Sequence, residues 1–190
     1  MIYKKILVVT ITTLVLAMQG TASALAETES RSFNLSATIP AASAVTIDVF
    51  KEFPPGDSVP ISSDQLVFDL SFNGRYYSAG YYFRLNIKAQ GAGDVTTVIT
   101  YAEGQKPAGA IKGLGDVCVA TFYKGNFATG GPGETLAAGG KLAGLNVTIT
   151  PDQIKGGFLI MHFGLEAYGF VPQDAPGVYD GILTLTSTVN

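Results

Sequence analysis

Short runs in which every second residue is apolar recur along this chain, and turn-forming residues separate them. In residues 81–88, for example, Phe83, Leu85 and Ile87 share one side with Tyr81. A period of two residues is that of a β-strand, whose side chains point alternately to the two faces of a sheet. No run keeps the 3.6-residue period of a helix for longer than a turn. The pattern therefore predicts an all-β fold.

The predicted strands are short, and glycine, proline and asparagine mark the turns between them. Beyond the N-terminus they span residues 44–49, 65–72, 81–88, 94–101, 117–123, 145–150, 158–165 and 178–189. Residues 158–165 are almost all apolar, which indicates a central strand that is buried on both faces. Asn73 and Gly74 predict a hairpin turn, and the glycine-rich residues 127–142 predict a loop or a short hairpin. The pattern favours a β-sandwich, with a barrel as the alternative.

Residues 1–26 have the features of a secretory signal peptide. Lys4 and Lys5 precede an apolar stretch, and Ala24 and Ala26 have the spacing of a cleavage site. An uncleaved membrane anchor is the alternative, against which the small-residue ending argues. We therefore expect an exported chain whose remaining residues form one domain.

The composition argues against nucleic-acid binding and indicates what stabilises the fold. Charged residues make up 14% of the chain and its formal net charge is −3, so nucleic acid is not an expected partner. Tyrosine and phenylalanine are abundant, which supplies apolar surface for a core. The single cysteine, Cys118, cannot form an internal disulfide. The core, or a partner, must therefore stabilise this exported domain.

Residues 31–40 follow the predicted cleavage site closely and form an alternating run of their own. Phe33, Leu35, Ala37 and Ile39 fall on one side of an extended strand. Pro40, which has no N–H to donate, separates this run from the strand predicted at residues 44–49. Such a strand could pair within its own sheet or with another molecule.

Two segments resemble a known family. Residues 33–49, with an alternating strand, a proline and a second short strand, resemble the mature N-terminus of major pilins of the alpha-clade (colonisation-factor-type) chaperone–usher fimbriae. Residues 175–186, which contain Gly177, Tyr179 and Gly181, resemble the C-terminal Gly-x-Tyr-x-Gly strand of those pilins and of secreted spore-coat-U-like proteins. A lone cysteine also fits, since many alpha-clade pilins lack a disulfide.

The resemblance implies an immunoglobulin-like Greek-key β-sandwich that is incomplete and is completed by a donor strand from a neighbouring subunit. Residues 27–42 would be the donor-strand extension and residues 43–190 the incomplete pilin domain. The donor residues would be Phe33, Leu35, Ala37 and Ile39. The residues facing the acceptor groove, or the periplasmic chaperone that fills it before assembly, would be Tyr179, Leu183, Leu185, Val189 and Asn190. The carboxylate of Asn190 would anchor that chaperone, and an outer-membrane usher would assemble the head-to-tail homopolymer.

The sequence therefore predicts a structural subunit of a bacterial surface fimbria that supports adhesion or biofilm formation. One alternative is a self-contained secreted β-sandwich of the spore-coat-U type. Another is a monomeric adhesin that binds host or surface glycans, since aromatic rings can stack on sugars. The candidate glycan-binding residues are Tyr76, Tyr77, Tyr81 and Tyr82. For these tyrosines, packing in the core or at subunit contacts is the other interpretation.

Enzymatic activity, metal binding and cofactor binding are not expected. His162 is the only histidine and lies within an apolar run, where we predict a packed strand residue. Cys118 lies between two valines and is predicted to be a small buried residue. A nucleophile, a base and an orienting group cannot be assembled around either residue. The acidic residues are scattered and match no calcium loop.

Overall fold

A computed structural model describes residues 45–89 and 95–189 of the chain. The predicted N-terminal strand at residues 31–40 lies outside these residues. Within them, the protein is an all-β fold of antiparallel strands with two short helices. This confirms the fold class predicted from the two-residue alternation.

The described residues form eleven strands. In chain order the strands are β1 (Val45–Phe53), β2 (Asp57–Ile61), β3 (Ser71–Phe72), β4 (Tyr77–Ser78), β5 (Tyr82–Ala89), β6 (Val95–Glu103), β7 (Cys118–Gly125), β8 (Pro132–Lys141), β9 (Asn146–Ile149), β10 (Phe158–Leu165) and β11 (Gly181–Val189). The two helices are α1 (Leu114–Val117) and α2 (Pro151–Ile154).

The strands form two main sheets and one small hairpin. The larger sheet has six strands in the order β2-β1-β5-β10-β7-β8, and the smaller has three in the order β11-β6-β9. The β3–β4 hairpin turns around Gly74, whose φ of 91° is one that glycine adopts without steric cost. This confirms the hairpin turn predicted at Asn73 and Gly74.

One hydrophobic core joins the two main sheets. Strand β5 contributes Phe83, Leu85 and Ile87 to it, and the smaller sheet contributes Ile99 and Ile149. Each of these side chains is at most 3% exposed. Two antiparallel sheets that bury their inner faces in a shared core have the architecture of a β-sandwich.

Strand β10 is buried on both of its faces. Consecutive residues Leu159, Ile160 and Met161 are all 0% exposed, although their side chains alternate between the two sides of the sheet. The strand pairs with β5 on one edge and with β7 on the other. The central strand predicted from the apolar run at residues 158–165 is thus confirmed.

Three predicted elements differ from the structure. Of the strand predicted at residues 65–72, only Ser71 and Phe72 belong to a strand. The glycine-rich residues 127–142 contain β8, which pairs with β7 in an irregular register. The last strand begins at Gly181 rather than at residue 178. In the first case Leu66 and Phe68 pack against the core, so their alternation reflects side-chain burial without backbone pairing.

Candidate functional site

Strand β11 lies at an edge of the smaller sheet. It pairs with β6 along its whole length, with Leu183 opposite Tyr101 and Leu185 opposite Ile99. Within the described part of the chain, no strand pairs with its other edge. The edge of a sheet carries backbone N–H and C=O groups that can accept a further strand.

An apolar groove with a cavity of about 410 Å³ lies beside this edge. One wall is formed by Ile182, Leu183 and Leu185 of β11. The other wall is formed by Ile47 and Val49 of β1 and by the segment between β2 and β3. The floor is formed by Leu85, Tyr101, Leu114, Cys118, Leu142 and Phe163. The groove therefore opens into the core between the two sheets.

The segment at residues 62–70 forms a rim of the groove without belonging to a sheet. Leu66 and Phe68 turn inward, and the ring of Phe68 packs on that of Phe83 with 4.9 Å between centroids. Tyr81 holds the backbone of this segment by two hydrogen bonds. Its hydroxyl donates to the carbonyl oxygen of Val67 at 2.9 Å and accepts from the Asp69 N–H at 2.7 Å. The rim is thus held at both its side chains and its backbone.

The floor of the groove is uncharged at neutral pH. Burial raises the pKa of the Cys118 thiol to about 12, so the thiol stays protonated. Burial also raises the pKa of Tyr101. A protonated, buried thiol is a poor nucleophile and behaves as a small apolar side chain. The predicted burial of Cys118 is confirmed by its 0% exposure.

A second cavity of about 190 Å³ is lined by Ile87, Val95 and Thr97. Val95 and Thr97 belong to β6, where they pair with Val189 and Ser187 of β11. Among the described residues, none of β11 lines this cavity, and the cavity shares no lining residue with the groove.

The structure brings together only some of the predicted site residues. Leu183 and Leu185 line the groove. Val189 ends β11 and pairs with Val95, whereas Tyr179 precedes the strand and lines a different cavity. The predicted donor residues and the predicted C-terminal anchor lie outside the described residues; they are Phe33, Leu35, Ala37, Ile39 and Asn190. The rim at residues 62–70 was not predicted from sequence. The alternating apolar residues Leu66 and Phe68 were the available signal, and they predicted a strand at residues 65–72.

The four tyrosines considered for glycan binding do not form one surface. Tyr81 is in the core, and Tyr82 lies on the outer face of the larger sheet, where its hydroxyl donates to Glu52 at 3.1 Å. Tyr76 packs on Tyr168 with 4.4 Å between centroids. Tyr77 lines the same cavity as Tyr179. Successive strand residues point to opposite faces, which separates Tyr81 from Tyr82.

His162 is a packed strand residue, as predicted. Its ring lies 5.0 Å from the ring of Tyr82 and 5.0 Å from that of Tyr123. Burial lowers the pKa of His162, which keeps the imidazole neutral at neutral pH. Glu52 and Arg84 form an ion pair of 2.9 Å on the same face.

Residues 45–89 and 95–189 hold no group of three or more histidine, cysteine or acidic side chains placed to bind a metal ion. The same residues include no helix with the length and apolar character to cross a membrane. Comparisons with protein-family models, with curated proteins and with solved structures found no match to this chain.

Proposed function

We propose that this protein is an exported subunit of a bacterial surface fimbria, and that it polymerises by donor-strand exchange. The observation that carries the proposal is the edge of β11, with which no strand of residues 45–89 and 95–189 pairs, beside an apolar groove of about 410 Å³. A strand added at this edge would gain main-chain hydrogen bonds from β11 and would place alternate side chains in the groove.

The chain itself contains a segment that fits this site. Residues 33–39 carry four apolar side chains on one side, and Leu183 and Leu185 of β11 line the groove. A donor strand at the usual spacing would run beside β11 and place alternate side chains in the groove. Burying each large donor side chain contributes roughly 1.5–3 kcal/mol.

The donor segment cannot simply extend the larger sheet next to β1. Strand β1 follows it closely in the chain, but β1 already pairs with β2 on one edge and with β5 on the other. Among the edge strands β2, β8, β9 and β11, we propose β11 of a neighbouring subunit as the acceptor because Leu183 and Leu185 of β11 line the apolar groove. Each subunit then donates at one end and accepts at the other, which makes the contact head-to-tail and gives an open filament.

The proposal includes the route to the surface. A periplasmic chaperone would cover the groove before assembly, anchored at the carboxylate of Asn190, and an outer-membrane usher would release subunits into the fibre. In this account the assembled fimbria supports adhesion or biofilm formation. The immunoglobulin-like Greek-key arrangement belongs to the same proposal.

A pair of donor-strand variants tests the proposal. Leu35→Asp places a charge on the side of the strand that enters the groove, whereas Asn34→Asp places the same charge on the opposite side. We expect Asn34→Asp to form fibres in electron micrographs and assemblies that resist SDS until they are boiled. We expect Leu35→Asp to form neither, because a carboxylate would be buried without a partner. Equal assembly of the two variants would contradict the proposal.

A further inference from the structure

A third cavity, of about 340 Å³, lies between the β3–β4 hairpin and the segment at residues 170–179, which leads into β11. Three aromatic residues line it: Tyr77 from the hairpin, and Phe170 and Tyr179 from the segment. The rings of Phe170 and Tyr179 are 4.7 Å apart at their centroids. This cavity shares no lining residue with the groove beside β11. It is a separate candidate site.

The cavity is held in shape by hydrogen bonds within its own walls. The Tyr77 N–H donates to the carbonyl oxygen of Phe170 at 3.0 Å, which ties the hairpin to the segment. The Tyr179 hydroxyl donates to the carbonyl oxygen of Ala175 at 2.7 Å. A site whose rings are already positioned loses little conformational entropy when a ligand binds.

One carboxylate supplies the charge among the lining residues. Asp174 Oδ2 accepts from the Val171 N–H at 2.8 Å and lies 3.4 Å from Lys112 Nζ. Within the described residues both hydrogen bonds to this carboxylate use Oδ2, which leaves Oδ1 as an acceptor for a ligand. Lys112 already neutralises much of the charge, so the site is not built to attract a cation. An anion would meet the carboxylate and no lining cation.

We infer that this cavity binds a neutral pyranose sugar. The C–H groups on one face of a pyranose ring carry a small positive charge and pack on the negative face of an aromatic ring. Its hydroxyl groups are donors for Asp174 Oδ1. A mostly apolar cavity in the range of about 300–1,000 Å³ with a few fixed polar groups is typical of a small-molecule site. The inference is independent of the proposed polymerisation, because the two sites share no residue.

Saturation-transfer NMR on the full exported chain tests the inference. The method observes the signals of the small ligand, so it applies whether the protein is monomeric or assembled. The probes are the methyl glycosides of glucose, galactose, mannose and N-acetylglucosamine, each titrated alone. We expect at least one to receive saturation at its ring C–H protons, with a Kd of the order of 1 mM for a ligand of this size. Tetramethylammonium and a short polyproline peptide are titrated in parallel as an organic cation and a proline-rich ligand.

Two matched pairs of variants locate the binding. Tyr179→Ala should weaken it about tenfold or more, which corresponds to about 1.4 kcal/mol, whereas Tyr76→Ala should not, since Tyr76 packs on Tyr168 outside the cavity. Asp174→Asn should weaken it as well, and Asp152→Asn on α2 should not. Near-ultraviolet circular dichroism checks that each variant is folded. Saturation of no glycoside, binding that Tyr179→Ala and Asp174→Asn leave unchanged, or binding of only the cation or the peptide would overturn the inference.

Discussion

The Tyr81 hydroxyl donates a hydrogen bond to the carbonyl oxygen of Val67 over 2.9 Å, and this contact links the core to the rim of the groove. Tyr81 is buried and its ring packs on Phe83, whereas Val67 is 59% exposed. The same hydroxyl accepts the N–H of Asp69. One buried side chain thus sets the position of a backbone segment that no sheet holds.

Tyr81→Phe should loosen the rim while it leaves the core packed. The substitution removes both hydrogen bonds, and because water can reach the exposed rim, we expect a loss of about 1 kcal/mol in the free energy of unfolding. Amide hydrogen exchange at Asp69 should become faster. Tyr76→Phe serves as the control, since it removes a hydroxyl from a ring that packs on Tyr168. Unchanged exchange at Asp69 would show that the hydroxyl does not hold the segment.

A charge inside the groove should block acceptance of a strand but not donation. Leu185→Lys places an ammonium group in the mostly apolar groove, whereas Thr184→Lys places it on the exposed side of β11. We expect the Thr184 variant to polymerise and the Leu185 variant to remain unassembled, because burying an unpaired charge costs several kcal/mol.

The head-to-tail account also predicts the result of mixing defective subunits. The Leu185→Lys subunit keeps its donor strand, so it should cap growing wild-type fibres and shorten them in electron micrographs. Mixed with Leu35→Asp, which keeps its groove, it should give dimers and nothing longer. Long fibres from that mixture would contradict the assignment of donor and acceptor.

The ion pair of Glu52 with Arg84 should matter more for stability than the pair of Asp48 with Lys88. Glu52 is 7% exposed, so Glu52→Gln leaves a largely buried guanidinium without its counter-charge, and we expect a loss of about 3 kcal/mol. The Asp48–Lys88 contact of 2.8 Å is partly exposed, and Asp48→Asn should cost at most about 1 kcal/mol. Urea unfolding of the two variants measures the difference. Equal losses would show that burial does not decide the strength of these pairs.

Stability should fall when the solution is acidified below about pH 6.5 because of His162. Burial lowers the pKa of His162; nearby Glu52 acts to raise it and Arg84 to lower it. In the unfolded chain the imidazole titrates near its ordinary pKa of about 6.5, so below that pH the unfolded state binds a proton that the folded state does not. Stability from this residue is therefore fully present at higher pH and is lost as the pH falls.

The His162→Gln variant isolates this effect. Between about pH 7 and 5.5 its free energy of unfolding should change less than that of the wild-type protein, because most carboxylates have not yet titrated. The measurement is urea unfolding at several pH values. If both proteins lost the same stability over this interval, His162 would not be the group responsible.

The strands that bury one or both faces could be predicted from sequence. Side chains of a strand alternate between the two faces of a sheet, so burial of one face gives a two-residue apolar period and burial of both gives an apolar run. The alternating residues Phe83, Leu85 and Ile87 identified β5, and the apolar run of β10 identified the central strand. The same signal was misleading at Leu66 and Phe68, which are half-buried against the core although no strand of the described residues pairs with them. Conversely, β8 pairs with β7 despite its glycines, because tertiary contacts outweigh local preference.

The candidate site could be predicted only in part, for a related reason. A sequence pattern shows which side of a strand is apolar, as at Leu183 and Leu185, but not which strand lies beside it. The edge position of β11 depends on long-range pairing. Closeness in sequence was also a poor guide to the tyrosines: Tyr77 lies near Tyr179 across the cavity, far from it in the chain.

The size of the assembled protein tests the central claim most directly. Sedimentation and electron microscopy would compare the chain beyond residue 26 with a version that also lacks residues 27–39. We expect fibres from the longer chain and none from the shorter one, and a closed monomer when residues 32–39 are fused behind Asn190 of the shorter chain. A longer chain that sediments as a stable monomer, and that unfolds when residues 27–39 are removed, would show that the strand pairs within its own subunit and would contradict donor-strand exchange.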